Sequence, residues 1–171
     1  MKSFIQHITE IVTDIKKNVD FDHEVEHHAE MGVEGYDSES HKYTYAHPAG
    51  TGRNTTVHIK KELTPGSEHG THSHIDFDVG HRFGRTRTNT LSSTSKILSN
   101  VHHAVTHHID RHSPKTISYS VEHDFGRNKS RSSVYHRMAE RTMSKHGGYE
   151  YSHAQKTQRQ TTHYYKRIKK K

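Results

Sequence analysis

The chain has no cysteine, no tryptophan and only three prolines in 171 residues. The missing cysteine rules out disulfides and thiolate zinc sites. Apolar residues are scarce as well, at 27%, against about 45–50%, glycine included, in an ordinary soluble domain. Those present fall in periodic clusters, so the chain reads as folded around a thin core. Such a core suits a flat domain, long exposed segments, or stability borrowed from a partner. No apolar run approaches the roughly 18 residues of a membrane span, and the N-terminus lacks the apolar segment of a signal peptide. The expectation is one domain over residues 1–165, with its core in 41–155 and a basic tail at 166–171, in a cytosolic setting without membrane contact.

Positive charge is concentrated at one end. The net charge is +7, and residues 156–171 carry Lys156, Arg159, Lys166, Arg167, Lys169, Lys170 and Lys171 with no acid, so residues 1–155 sum to zero. Such a tail is a handle for nucleic acid or an acidic protein surface; the plainer alternative is a solubilising end. Histidine is in excess, at 21 residues. These side chains begin to charge near pH 6.5, so mild acid would add positive charge and strengthen polyanion binding.

Periodicity predicts the elements. Ser3 can cap an amphipathic helix over 4–18, with Phe4, Ile5, Ile8, Ile11, Val12 and Ile15 on one face. Residues 20–40 read as loop, with a short helix at 22–30 as the alternative. Alternation around Tyr43 and Tyr45, a turn at Pro48–Gly52, and alternation around Val57 and Ile59 read as an antiparallel hairpin. A strand follows at 74–79, then a basic loop, then a helix at 93–111 with Ile97, Leu98, Val101, Val105 and Ile109 inward, ended by Pro114. Thr116–Val121 is a strand. Ser130 caps a helix to about Lys145, with Val134, Tyr135, Met138 and Thr142 inward and Gly147-Gly148 as its stop. Residues 149–154 and 160–167 form a last hairpin. The fold class is therefore α/β with a mixed sheet.

A strand, a helix and a strand in this order form a right-handed crossover, so strands 74–79 and 116–121 should run parallel with their carboxyl ends side by side. Both ends lead through basic loops into helix N-termini, where an α/β sheet takes ligands and backbone N–H groups favour an anion. Arg82, Arg85, Arg87, Arg127, Lys129 and Arg131 would then surround one crevice for a phosphate-bearing ligand: a nucleotide, coenzyme A or a nucleic-acid backbone. Ordinary solvated loop cations are the competing account.

This element order resembles the GNAT (Gcn5-related N-acetyltransferase) fold over roughly residues 41–165. Asn128-Lys129-Ser130-Arg131-Ser132-Ser133-Val134-Tyr135 has the spacing of that family's N-x-x-A-x-x-L-Y pattern. The resemblance implies acetyl-CoA as cofactor, Tyr135 as general acid toward the departing thiolate, and Asn128 as a contact to the cofactor arm. The stretch matching the family's glycine-rich phosphate loop, Arg85–Ser93, contains no glycine. A second resemblance is to small tailed-phage proteins of unassigned function. It rests on Pro114-Lys115-Thr116-Ile117-Ser118-Tyr119-Ser120, on Ser130-Arg131 with Tyr135 and Arg137, and on Gly148-Tyr149.

Three histidine pairs lie four residues apart, His23/His27, His103/His107 and His108/His112. About that many arise by chance at this histidine content, so no metal site is expected. No nucleophile elbow, P-loop or H-E-x-x-H motif is present. The leading expectation is a phage-encoded, non-catalytic, virion-associated protein on a GNAT-like scaffold, in the host cytoplasm or the virion. It would need no cofactor and would bind nucleic acid, an acidic protein surface or other virion proteins, compatible with oligomerisation. Its contacts would be the basic loops together with Lys166, Arg167, Lys169, Lys170 and Lys171. The alternative is an acyl-CoA-dependent N-acetyltransferase.

Overall fold

The structure is a computed structural model that describes residues 20–29, 37–46, 54–62, 72–79, 91–122, 129–143 and 148–168. In chain order the elements are β1 (Asp22–Ala29), β2 (Asp37–Tyr45), β3 (Thr55–Glu62), β4 (His72–Val79), α1 (Leu91–His112), β5 (Thr116–Glu122), α2 (Lys129–Thr142), β6 (Tyr149–Lys156) and β7 (Gln160–Arg167). The seven strands make one mixed sheet in the order β1-β2-β3-β4-β5-β7-β6. Every neighbouring pair is antiparallel except β4 and β5, which are parallel.

Alternation in the strands decides what is buried. In-register partners share a sheet face, and the register Tyr43↔Val57, Ile59↔Ile75 and Ile75↔Tyr119 aligns the apolar positions of four strands on one face. The helices cover that face. Leu98, Val101, Val105 and Ile109 of α1 and Met138 and Ala139 of α2 are buried against it. Both helices lie on the same side because both crossovers, β4–α1–β5 and β5–α2–β6, advance in one direction across the sheet with the same right hand. Helix α1 ends at Ser113, whose φ of 44° is left-handed and whose N–H donates to the Ile109 carbonyl at 2.8 Å; the buried Pro114 follows. Arg111 and His112 sit in the last turn, where cations suit the helix dipole.

One covered face explains the low apolar content. Among the described residues the opposite face carries polar and charged side chains, such as Lys42, His58, Lys60, His74, Ser118 and Lys166. Even the covered face uses amphipathic rings: Tyr43, Tyr45, Tyr149 and Tyr165 are buried, as are His41, His102 and His108. Burial lowers the pKa of His41 and His108 and raises those of the phenols. The phenols of Tyr43, Tyr149 and Tyr165 are pushed up to about 12.

The hairpins, the parallel strands and the two long helices lie where periodicity placed them. Residues 20–40 do not form a loop or helix: they supply β1 and the start of β2. Strand β1 is an edge, so one side and most of one face meet water. Its acids and histidines are tolerated there and leave no burial pattern to read. The helix expected at 4–18 and the turn at Pro48–Gly52 lie outside the described residues.

The sheet opens at its middle. Among the described residues, strands β4 and β5 pair from His72↔Thr116 to Ile75↔Tyr119 and no further. Beyond that level β4 stays paired with β3 as far as Val79, and β5 stays paired with β7 as far as Glu122. Each strand keeps its outer neighbour and loses its inner one. A wing of β1–β4 and a wing of β5–β7 are thus joined at the amino-terminal halves of β4 and β5 and part toward their carboxyl ends.

Candidate functional site

The opening between β4 and β5 is the natural place for a ligand. It lies at the carboxyl ends of parallel strands, where, among the described residues, the β4–β5 ladder does not continue past Ile75 and Tyr119, so the facing edges of Phe77–Val79 and Ser120–Glu122 can offer backbone N–H and C=O groups to whatever enters. Helices α1 and α2 follow those two strand ends in the chain, and neither has an acid in its first turn.

A side-chain clamp on the open face sets where the opening begins. His72 Nδ1 is hydrogen-bonded to Thr116 Oγ1 at 2.9 Å and its Nε2 to Ser118 Oγ at 3.1 Å; His74 Nδ1 is hydrogen-bonded to the same Ser118 Oγ at 2.8 Å. All three bonds cross from β4 to β5, at the residues whose backbones pair. Ser118 is buried. Burial lowers the pKa of both imidazoles, which favours the neutral rings that such bonds require. One level further along, Ser120 Oγ bonds Thr162 Oγ1 on β7 at 2.9 Å, inside its own wing.

On the helix side of β5 sits a second polar group. Tyr119 Oη and His136 Nδ1 of α2 are 2.9 Å apart, and His163 stacks on the Tyr119 ring with centroids 5.0 Å apart. Burial, reinforced by Tyr165, raises the Tyr119 pKa, so this phenol stays protonated. Two further links tie α1 into the core, His103 Nδ1 to Tyr45 Oη at 2.9 Å and His102 Nδ1 to Thr142 Oγ1 at 2.6 Å.

Several residues singled out from sequence fall outside the described ones: Arg82, Arg85, Arg87, Arg127 and Asn128 in the loops, and Lys169, Lys170 and Lys171 in the tail. Lys129, Arg131 and Tyr135 lie on α2. Lys166 and Arg167 end β7 and are exposed; Arg167 Nη1 donates to the Ser113 carbonyl at 3.2 Å. Lys166 pairs with Thr116, the first residue of β5. Lys166 and Arg167 therefore lie beside the amino-terminal end of β5, about 20 Å of strand from its carboxyl end at Glu122.

The histidine pairs divide in the same way. His23 and His27 are on a strand, not a helix, so they do not form a helical pair. His103/His107 and His108/His112 do lie on α1. Sequence spacing found the last pair; its third neighbour, His41 of β2, has no sequence signal because helix and sheet bring it there.

Fold and site together define a two-layer α/β protein with a split mixed sheet. No protein-family model, curated protein or solved structure matches the chain. No helix among the described residues is long and apolar enough to cross a membrane.

Proposed function

We propose that the protein binds an acyl-coenzyme A in the opening between β4 and β5, on a GNAT-like scaffold, and transfers the acyl group to an amine. The observation that carries this reading is the parting of β4 and β5 while each keeps its outer partner. An extended arm bearing amides can pair with the two unpaired strand edges as an added strand would. The helix N-termini beyond them suit its phosphates. In the transfer step the amine forms the C–N bond at the thioester carbonyl and gives its proton to water, the C–S bond breaks, and Tyr135 of α2 protonates the leaving thiolate and regains a proton from solvent, while Asn128 holds the arm.

A second reading is the non-catalytic, virion-associated protein that binds polyanions. The glycine-free stretch Arg85–Ser93 favours it, since side chains there keep a backbone from closing on a pyrophosphate. Calorimetric titration with acetyl-CoA separates the two. Micromolar binding, lost on Arg85→Ala or Arg87→Ala, is the result expected. No heat at millimolar acetyl-CoA overturns the proposal. The second reading then requires duplex DNA binding that falls steeply with salt and is largely lost when residues 166–171 are removed.

A further inference from the structure

Three imidazoles from two elements converge beneath the C-terminal end of α1. His108 and His112, one helical turn apart, project from the same helix face. His41 rises from β2 to meet them. The ring centroids are 4.9 Å apart for His41 and His108, 4.6 Å for His41 and His112, and 4.6 Å for His108 and His112. One ring nitrogen from each lies within 4.8 Å of the other two. His41 and His108 are buried and His112 is half-buried.

We propose that His41, His108 and His112 bind a single divalent transition-metal ion of the zinc type. The donor set is the first reason. Three neutral imidazoles are a common zinc ligand set, and they leave one position of a tetrahedron open. Zinc–nitrogen bonds of about 2.0–2.1 Å place ligand nitrogens about 3.3 Å apart, so ring rotations of order 1 Å close the site.

The outer partners are the second reason. Ser73 Oγ holds His108 Nε2 at 2.9 Å, while His108 Nδ1 is buried without a hydrogen-bond partner among the described residues. A buried ring nitrogen with no partner is costly in a core, and a metal bond would satisfy it. The Glu39 carboxylate lies 3.3 Å from His41 Nε2, the carboxylate–histidine arrangement that orients a metal ligand, and leaves Nδ1, now 3.2 Å from His23 Nε2, as the nitrogen that would exchange that contact for the metal.

Charge around the site is mixed. Lys61 Nζ stands 3.5 Å from His112 Nδ1 and opposes a second cation, but it donates to Glu39 Oε2 at 2.8 Å and is neutralised by it. His23 Nε2 faces His41 Nδ1 at 3.2 Å, His27 Nδ1 lies 3.6 Å from Glu39 Oε1, and the Arg111 guanidinium acts on His23 from the helix. Burial, aided by Lys61 and the neighbouring imidazoles, pushes His108 down to about 2 and His112 to about 4, so both rings are neutral and free to donate a lone pair at physiological pH.

The test must separate this site from weak binding by exposed histidines. The chelator-stripped full chain is titrated with Zn²⁺ by calorimetry and with Co²⁺ by visible absorption. One tight equivalent per chain is expected, with the intense bands of tetrahedral Co²⁺. His112→Asn, at the half-buried position, weakens it by at least roughly 100-fold, beyond the ~10–100-fold typical of an outer partner. Lys61→Met tightens it by removing the opposing charge. A double His27→Asn, His28→Asn variant, at exposed positions, retains it. The proposal is overturned by weak multi-site binding alone, or by a tight equivalent that survives His112→Asn in chains whose circular dichroism is unchanged.

Discussion

Acid should destabilise this protein well before its carboxylates protonate, and His108 gives the scale. Its imidazole is buried against β2 and β4. Desolvation, with the charges of His112, His41 and Lys61, drives its pKa from the ordinary 6.5 to about 2. Between pH 7.5 and 5.5 the unfolded chain takes up a proton there and the folded chain does not. Stability is thus fully present above pH 6.5 and is lost progressively as pH falls from 6.5 toward 2. The loss is about 1.4 kcal/mol per pH unit for one group, so roughly 1.4 kcal/mol accrues from pH 7.5 to 5.5. His41, His72, His74, His103 and His107 are also shifted down, chiefly by burial, and steepen the loss. Urea unfolding of the metal-free chain, followed by circular dichroism, reads the effect directly. With a slope of about 2 kcal/mol per molar urea, His108 alone lowers the midpoint by roughly 0.7 M. His108→Gln should remove that share of the dependence. A midpoint that stays flat or rises as pH falls to 5.5, or a His108→Gln chain with the full wild-type slope, would refute the reasoning.

Two substitutions probe the joints of the fold. Tyr149 is buried and its hydroxyl donates to the Pro114 carbonyl, tying the start of β6 to the end of α1. Tyr149→Phe leaves that carbonyl without this donor and should cost about 1–3 kcal/mol in urea unfolding; no measurable loss would show that the bond is replaced by solvent. Ser118→Ala removes the shared partner of His72 and His74 across β4 and β5. It should cost a similar ~1–3 kcal/mol and weaken acetyl-CoA binding, and a stable variant with unchanged binding would separate the clamp from the ligand site.

The parts of this fold legible in sequence were those with a buried stripe. Ile117, Tyr119 and Val121 alternate, Leu98, Val101, Val105 and Ile109 repeat at helical spacing, and their order implies the parallel pair. Strand β1 was not legible. Val25 is its only aliphatic residue besides Ala29, it is exposed, and an edge strand is held by backbone bonds that carry no side-chain signature. The candidate site was legible only as a location. Spacing marked His108 and His112, but His41 and Glu39 join them through the register of β2 beneath α1. The clamp is made of single polar residues on a strand face that sequence reasoning assigns to solvent.

The same polar residues account for the division of the sheet. From His72↔Thr116 to His74↔Ser118, side-chain hydrogen bonds run across the β4–β5 junction, from His72 and His74 to Thr116 and Ser118. One level on, the bonding turns outward: Ser120 bonds Thr162 of β7, and Asp76 stands in register with His58 of β3. The backbone ladder between β4 and β5 stops at that level. A parallel ladder is slightly weaker per residue than the antiparallel ladders flanking it, so losing side-chain support there costs least at this junction. The unpaired edges then remain as donors and acceptors without partners from the sheet. A ligand that supplies amide groups along an extended arm would complete both edges at once. A compact anion would leave both edges unfilled, so the proposed coenzyme A reading predicts tighter binding of acetyl-CoA than of inorganic phosphate in the same calorimetric titration.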